Sequence, residues 1–102
     1  MTNIEGLIAD IKTILALYDL PSSDFSWSEY DSKEDAVEEM QNILESVESG
    51  DYSVLRRLRT LLLPTGSIQE ISIDSGWAQE YIIIGSRMEK LIDLIMSSSN
   101  SN

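Results

Sequence analysis

Apolar residues recur along this chain at steps of three and four, the spacing that places side chains on one face of an α-helix. The longest such stretch is Trp77 to Met96, where Trp77, Tyr81, Ile84, Met88, Leu91 and Ile95 fall in a single stripe. Twenty residues of helix measure about 30 Å, enough to cross a small domain. The pattern makes this the element that the other segments pack against.

Three further helical stretches precede it. Thr2 and Glu5 form a T-x-x-E capping box, which opens a helix to about Tyr18 with Ile4, Leu7, Ile8, Ile11, Ile14, Leu15 and Tyr18 on one face. Asp19 to Asp31 has no period. It holds Pro21, four serines and the aromatics Phe25, Trp27 and Tyr30, and reads as a linker. Ser32, followed by Asp35, caps a second helix to about Glu48. Val37, Met40, Ile43, Leu44 and Val47 face inward there, while Glu34, Asp35, Glu38 and Glu45 project from the other side. Gly50 suits the left-handed residue that ends such a helix.

A third helix spans about Tyr52 to Leu63, with Leu55, Leu58 and Leu62 on one side and Val54 and Leu61 widening that face. Pro64 stops it, and Pro64 to Ser67 reads as a turn. After Ser67 and Glu70, a third possible capping box, the spacing is mixed. Ile68 and Ile71 are helical neighbours, whereas Ile71 and Ile73 alternate as in a strand. The expectation is a short helical turn leading into an extended piece, with Asp74 or Ser75 capping the last helix. Residues 1–96 then form a single all-α domain, an antiparallel bundle of about four helices with a long C-terminal helix. Residues 97–102, all Ser or Asn, are expected to be a disordered tail.

Composition removes several chemistries. The chain has no cysteine and no histidine, which excludes disulfides, thiolate nucleophiles and the usual general base and metal ligand near neutral pH. No basic leader followed by an apolar run is visible, and apolar runs such as Tyr81 to Ile84 are far too short for a membrane span. The expected location is cytoplasmic.

Net charge is −11, and its distribution is uneven. Residues 19–51 hold eleven of the eighteen acids and a single base, Lys33, whereas residues 52–102 balance five acids with five bases. Nucleic acid and anionic membranes would be repelled by such a chain, and neither is expected as a partner.

Glu34, Asp35 and Glu38 raise the question of catalysis. They resemble half of the acidic magnesium site of the all-α nucleoside-triphosphate pyrophosphatases. That site needs a second acidic pair from a facing helix to complete an octahedral oxygen shell, and residues 52–63 contain no acid. The acids therefore read as a solvated face, and no catalytic residue, metal or cofactor is expected. Of the basic cluster Arg56, Arg57 and Arg59, Arg59 lies inside the apolar sector and is expected to be partly buried against a carboxylate of another helix. Arg57 is expected to point outward.

Phe25, Trp27 and Tyr30 admit two readings: a hydrophobic lid on the end of the bundle, or an exposed aromatic patch rimmed by acids, as at protein-binding hot spots. With Asp31, Glu34, Asp35, Glu38 and Glu45 they make a candidate surface for a basic protein partner. In size, charge and helical character the chain is similar to the immunity proteins that neutralise bacterial nuclease toxins. That similarity implies a non-enzymatic inhibitor-type binding module. Ile82 lies opposite the main stripe of the last helix, so either the first half of that helix is buried all round or Ile82 and Ile83 meet another chain. The alternative function is accordingly a self-associating structural protein, a homodimer joined through Ile82 and Ile83.

Overall fold

The computed structural model describes residues 2–26, 28–64 and 66–100. Among these residues the chain forms five helices and no strand: α1 Asn3–Tyr18, α2 Lys33–Glu48, α3 Leu55–Leu61, α4 Ser67–Ser75 and α5 Ala78–Asn100.

The first two helices begin and end where their capping residues place them. The Thr2 hydroxyl accepts from the Glu5 amide at 3.0 Å, the N-cap bond read from the sequence, while the Glu5 carboxylate accepts from the Thr2 hydroxyl itself at 3.1 Å. Ser32 accepts from the Asp35 amide at 3.2 Å at the start of α2. At the other end of α2, Gly50 has a φ of 88°. The Gly50 and Asp51 amides then donate to the carbonyls of Val47 and Ser46 at 3.1 and 2.8 Å. These two bonds satisfy carbonyls that the end of the helix leaves open.

Residues 67–75 are helical throughout, which corrects the expected extended piece and raises the helix number from about four to five. The mixed spacing has a simple origin. Ile68 and Ile71 are buried on one face together with Ser72 and Ser75, while Ile73 lies outside and is 58% exposed. An outward isoleucine beside an inward one imitates the alternation of a strand. Gly66, rather than Ser67, occupies the N-cap position. Gly76, with a φ of 86°, and not Asp74 or Ser75, makes the turn into α5. The Trp77 amide there donates to the Ser72 carbonyl at 3.0 Å. Thr65, inside the expected turn at Pro64 to Ser67, lies outside the described residues.

The core is one cluster drawn from all five helices. Leu7, Ile11, Ile14 and Tyr18 of α1 and Ala36, Met40, Ile43 and Val47 of α2 are buried in it, and α1 packs against both α2 and α5. On α5 and its preceding residue the buried stripe is Trp77, Tyr81, Ile84, Met88, Ile92 and Ile95. Leu91, expected in that stripe, is only partly buried, because a straight helix drifts past a strict three-and-four pattern over five turns. Each fully buried aliphatic side chain stabilises the fold by about 2 kcal/mol before entropy is counted. α5 packs against α1, α3 and α4, whereas α2 packs principally on α1, so α1 separates α2 from α5. α3 is shorter than expected, seven residues against twelve. α5 is longer and remains helical through residues 97–100, where the sequence suggests a tail, and residues 101–102 lie outside the described residues. No helix among the described residues is long and apolar enough to cross a membrane.

Candidate partner-binding face

Residues 19–26 and 28–31 belong to a strap that leaves the end of α1, crosses to the α4–α5 corner and returns to the start of α2. The Asp24 amide donates to Ser75 Oγ at 2.6 Å, and Trp77 Nε1 donates to Ser23 Oγ at 3.1 Å. The Ser23 hydroxyl donates in turn to the Leu17 carbonyl at the end of α1. Phe25 is buried under the strap, edge-on to Tyr18 with ring centroids 5.2 Å apart. Trp77 is tilted against Tyr18 at 6.3 Å and Tyr81 meets Trp77 at 6.5 Å, extending this aromatic chain into the core.

Phe25 is thus a lid residue and leaves the set of exposed contacts to which the sequence reading assigned it. Tyr30 is half-buried. Its hydroxyl donates to Glu39 Oε1 at 2.6 Å. Burial first, and then this bond to a carboxylate, push the Tyr30 pKa well above the usual phenol range. Trp27 lies outside the described residues.

Tyr30 belongs to a four-residue network. Arg57 Nε and Nη2 donate to the two oxygens of Glu39, each at 3.0 Å, and Arg57 also pairs with Glu29 of the strap. The guanidinium holds the Glu39 carboxyl below its ordinary value, against the opposing effect of partial burial. Glu39 in turn raises Arg57 further. This corrects the reading of the arginines. Arg57 turns in between α2 and the strap, whereas Arg59 is exposed, although it does pair across helices, with Asp93 of α5.

A cleft of about 360 Å³ opens between α2 and α3 beside this network. Asp35, Glu38, Glu39, Asn42, Ser46 and Arg57 line it, with Ile43 and Val54 as its apolar part. On the other flank of α2, a second groove of about 540 Å³ is lined by Asp19, Lys33, Glu34, Val37 and Glu38. Glu38 is shared by both. The structure therefore brings Asp35 and Glu38 to one depression and Glu34 and Glu38 to another, and leaves Glu45 and Asp31 exposed but outside both. Among the described residues Glu34, Asp35, Glu38 and Glu45 make no ion pair, while Lys33, Arg57, Arg59 and Arg87 are all engaged with other acids.

Glu29, Glu39 and Arg57 were not singled out from the sequence as parts of one site. A signal existed for Glu39: it lies one turn before Ile43, at the edge of the buried stripe rather than opposite it. Nothing in the spacing pointed to Glu29, because a strap without a period gives no direction to its side chains. Among the described residues, no group of three or more carboxylates is arranged to hold a metal ion. No protein-family model matches the chain, and neither does any curated protein or solved structure.

Proposed function

We propose that this chain is a small acidic, non-enzymatic binding module that receives a basic protein partner on the face of α2 and the adjoining α2–α3 cleft. The observation that carries the reading is the row of exposed acids on α2, Glu34, Asp35, Glu38, Glu45 and Glu48, none ion-paired among the described residues, beside a depression with both polar and apolar walls. Unpaired surface acids concentrated on one helix raise the local concentration of a cationic partner and speed its encounter. Such charges add little affinity once screened, so a partner side chain must also fill the cleft against Ile43 and Val54. An inhibitor of a basic enzyme, of the immunity-protein kind, would work in this way, covering a cationic surface with an acidic one.

The test is comparative capture. Wild-type protein and a variant carrying Glu34→Gln, Asp35→Asn, Glu38→Gln and Glu45→Gln are immobilised and exposed to lysate of the native host. A basic protein held by the first and lost by the second supports the reading. It should then bind the purified chain with an association rate that falls as salt is added. Equal capture by both forms would remove α2 from the interface.

A further inference from the structure

The outward side of α5 carries a feature that the α2 reading does not use. Ile82 and Ile83 are 58% and 67% exposed. Gln79, Ile82, Ile83 and Ser86 stand at i, i+3, i+4 and i+7, the four corners of the hole that one helix offers to a side chain of another. None of the four is charged. The next such set along the helix, Ile83, Ser86, Arg87 and Lys90, includes two cations, and the one after it includes Glu89, Lys90 and Asp93.

We propose that this neutral rhombus is the contact surface for a second copy of the same chain, with the two α5 helices antiparallel about a two-fold axis between Ile82 and Ile83. Charge selects the occupant. Two copies of a chain with net charge −11 repel each other over most of their surface, and most strongly where residues 19–51 place a charge of −10. Residues 52–102 have no net charge, and α1 separates α5 from α2. The outward side of α5 is where two such chains can meet with little repulsion.

The antiparallel arrangement sets Ile82 of each copy against Ile83 of the other and Gln79 against Ser86, so the amide and hydroxyl can bond as the isoleucines close. Two turns further, Lys90 of one copy approaches the α4–α5 corner of the other, where Asp74 is exposed. Neither Lys90 nor Asp74 makes an ion pair among the described residues. Asp74 also lies at the C-terminal end of α4, where the helix dipole favours a cation. The symmetry forms each contact twice.

Sedimentation equilibrium on the purified full chain, at concentrations up to about 1 mM, tests this. The mass should double with rising concentration. Ile82→Glu and Ile83→Glu should each return the monomer with an unchanged circular dichroism spectrum and, at concentrations too low for the wild type to associate, an unchanged melting point, since both side chains are exposed. Lys90→Glu should weaken the dimer about tenfold, and adding Asp74→Lys should restore it. The four amide substitutions on α2 should leave the dimer intact, which separates this interface from the partner face. A wild-type chain that stays monomeric, or a dimer indifferent to Ile82→Glu, overturns the proposal. A charge swap that fails to restore association overturns its antiparallel register.

Discussion

The Arg57 guanidinium on α3 grips the Glu39 carboxylate on α2 through two contacts of 3.0 Å, and this pair ties the acidic strap to the body of the bundle. Glu39 also accepts from Tyr30, and Arg57 reaches Glu29, so one ion pair holds both the start of the cleft and the end of the strap.

Loss of Arg57 should therefore be felt most near neutrality and least at low pH. The Glu39 carboxyl is held below its ordinary pKa chiefly by Arg57, so the native state favours its ionised form. The stability it contributes is complete above the ordinary carboxylate range and is lost as the pH falls through the lowered value. Arg57→Met should cost about 1 kcal/mol near neutrality, a figure kept small because the pair is partly solvated. It should also flatten the acid limb of a melting-point-versus-pH curve. A variant with the wild-type acid limb would show that Glu39 is held by something else.

A second pair behaves differently. Asp10 of α1 is only 4% exposed and accepts from Arg87 of α5 through Nη2 at 2.6 Å and Nε at 2.9 Å. Removing the arginine leaves a carboxylate in the helix interface without its partner, whereas removing both charges leaves an apolar contact. Arg87→Met alone should lower the melting point by several degrees. Asp10→Leu combined with Arg87→Met should recover most of that loss. Thermal melts of the two single variants and the double variant, closed as a cycle, measure the coupling.

Phe25→Ala should destabilise the fold by about 3 kcal/mol, the usual cost of emptying a buried aromatic site. Trp77 fluorescence should shift to the red as the lid over Tyr18 and Trp77 opens. Tyr18→Phe should do the opposite. The Tyr18 hydroxyl is buried without a hydrogen-bond partner among the described residues, and its removal should raise stability by up to about 1 kcal/mol. Denaturant titrations of both variants check the pair of signs.

Alkaline pH should unfold the protein in one step with tyrosine ionisation. Burial pushes Tyr81 up to about 12, and Tyr18 and Tyr30 are raised above the usual phenol range by burial as well. A group whose native pKa is raised stabilises the fold below its unfolded value, and that contribution is lost as the pH climbs toward the native one. Stability should accordingly decline from about pH 10 upward. The tyrosinate absorbance of these rings should appear together with the loss of helical signal. Tyrosinate formed in a fully helical protein would mean that these rings are more open than the structure shows.

Elements whose determinants are local were legible in the sequence. α1 and α2 begin at Thr2 and Ser32 because a single hydroxyl caps each, and α2 ends at Gly50 because a left-handed residue is needed there. α4 was misread because an exposed isoleucine, Ile73, was counted as if it had to be buried. The arginines were exchanged for a related reason. Arg57 and Arg59 flank the apolar stripe of α3 on opposite sides, and which flank is covered depends on whether α2 or α5 lies beside it. Within the strap, Phe25 and Tyr30 looked alike. One became a lid and the other a hydrogen-bond donor only once Tyr18 and Glu39 were in place around them.

The strap also imposes an order on assembly. Asp24 and Ser23 find their partners Ser75 and Trp77 at separations of 51 and 54 residues. Contacts that close so much chain are made late, since the entropy of the intervening loop is lost before they reward it. α1 and α2 can form from neighbours in sequence, but the strap has nothing to fasten to until the corner between α4 and α5 exists. On a ribosome, the acidic face beside the strap would be completed only after the last third of the chain has emerged. A nascent or truncated product lacking that corner would carry the full charge of residues 19–51 without the surface that gives it shape.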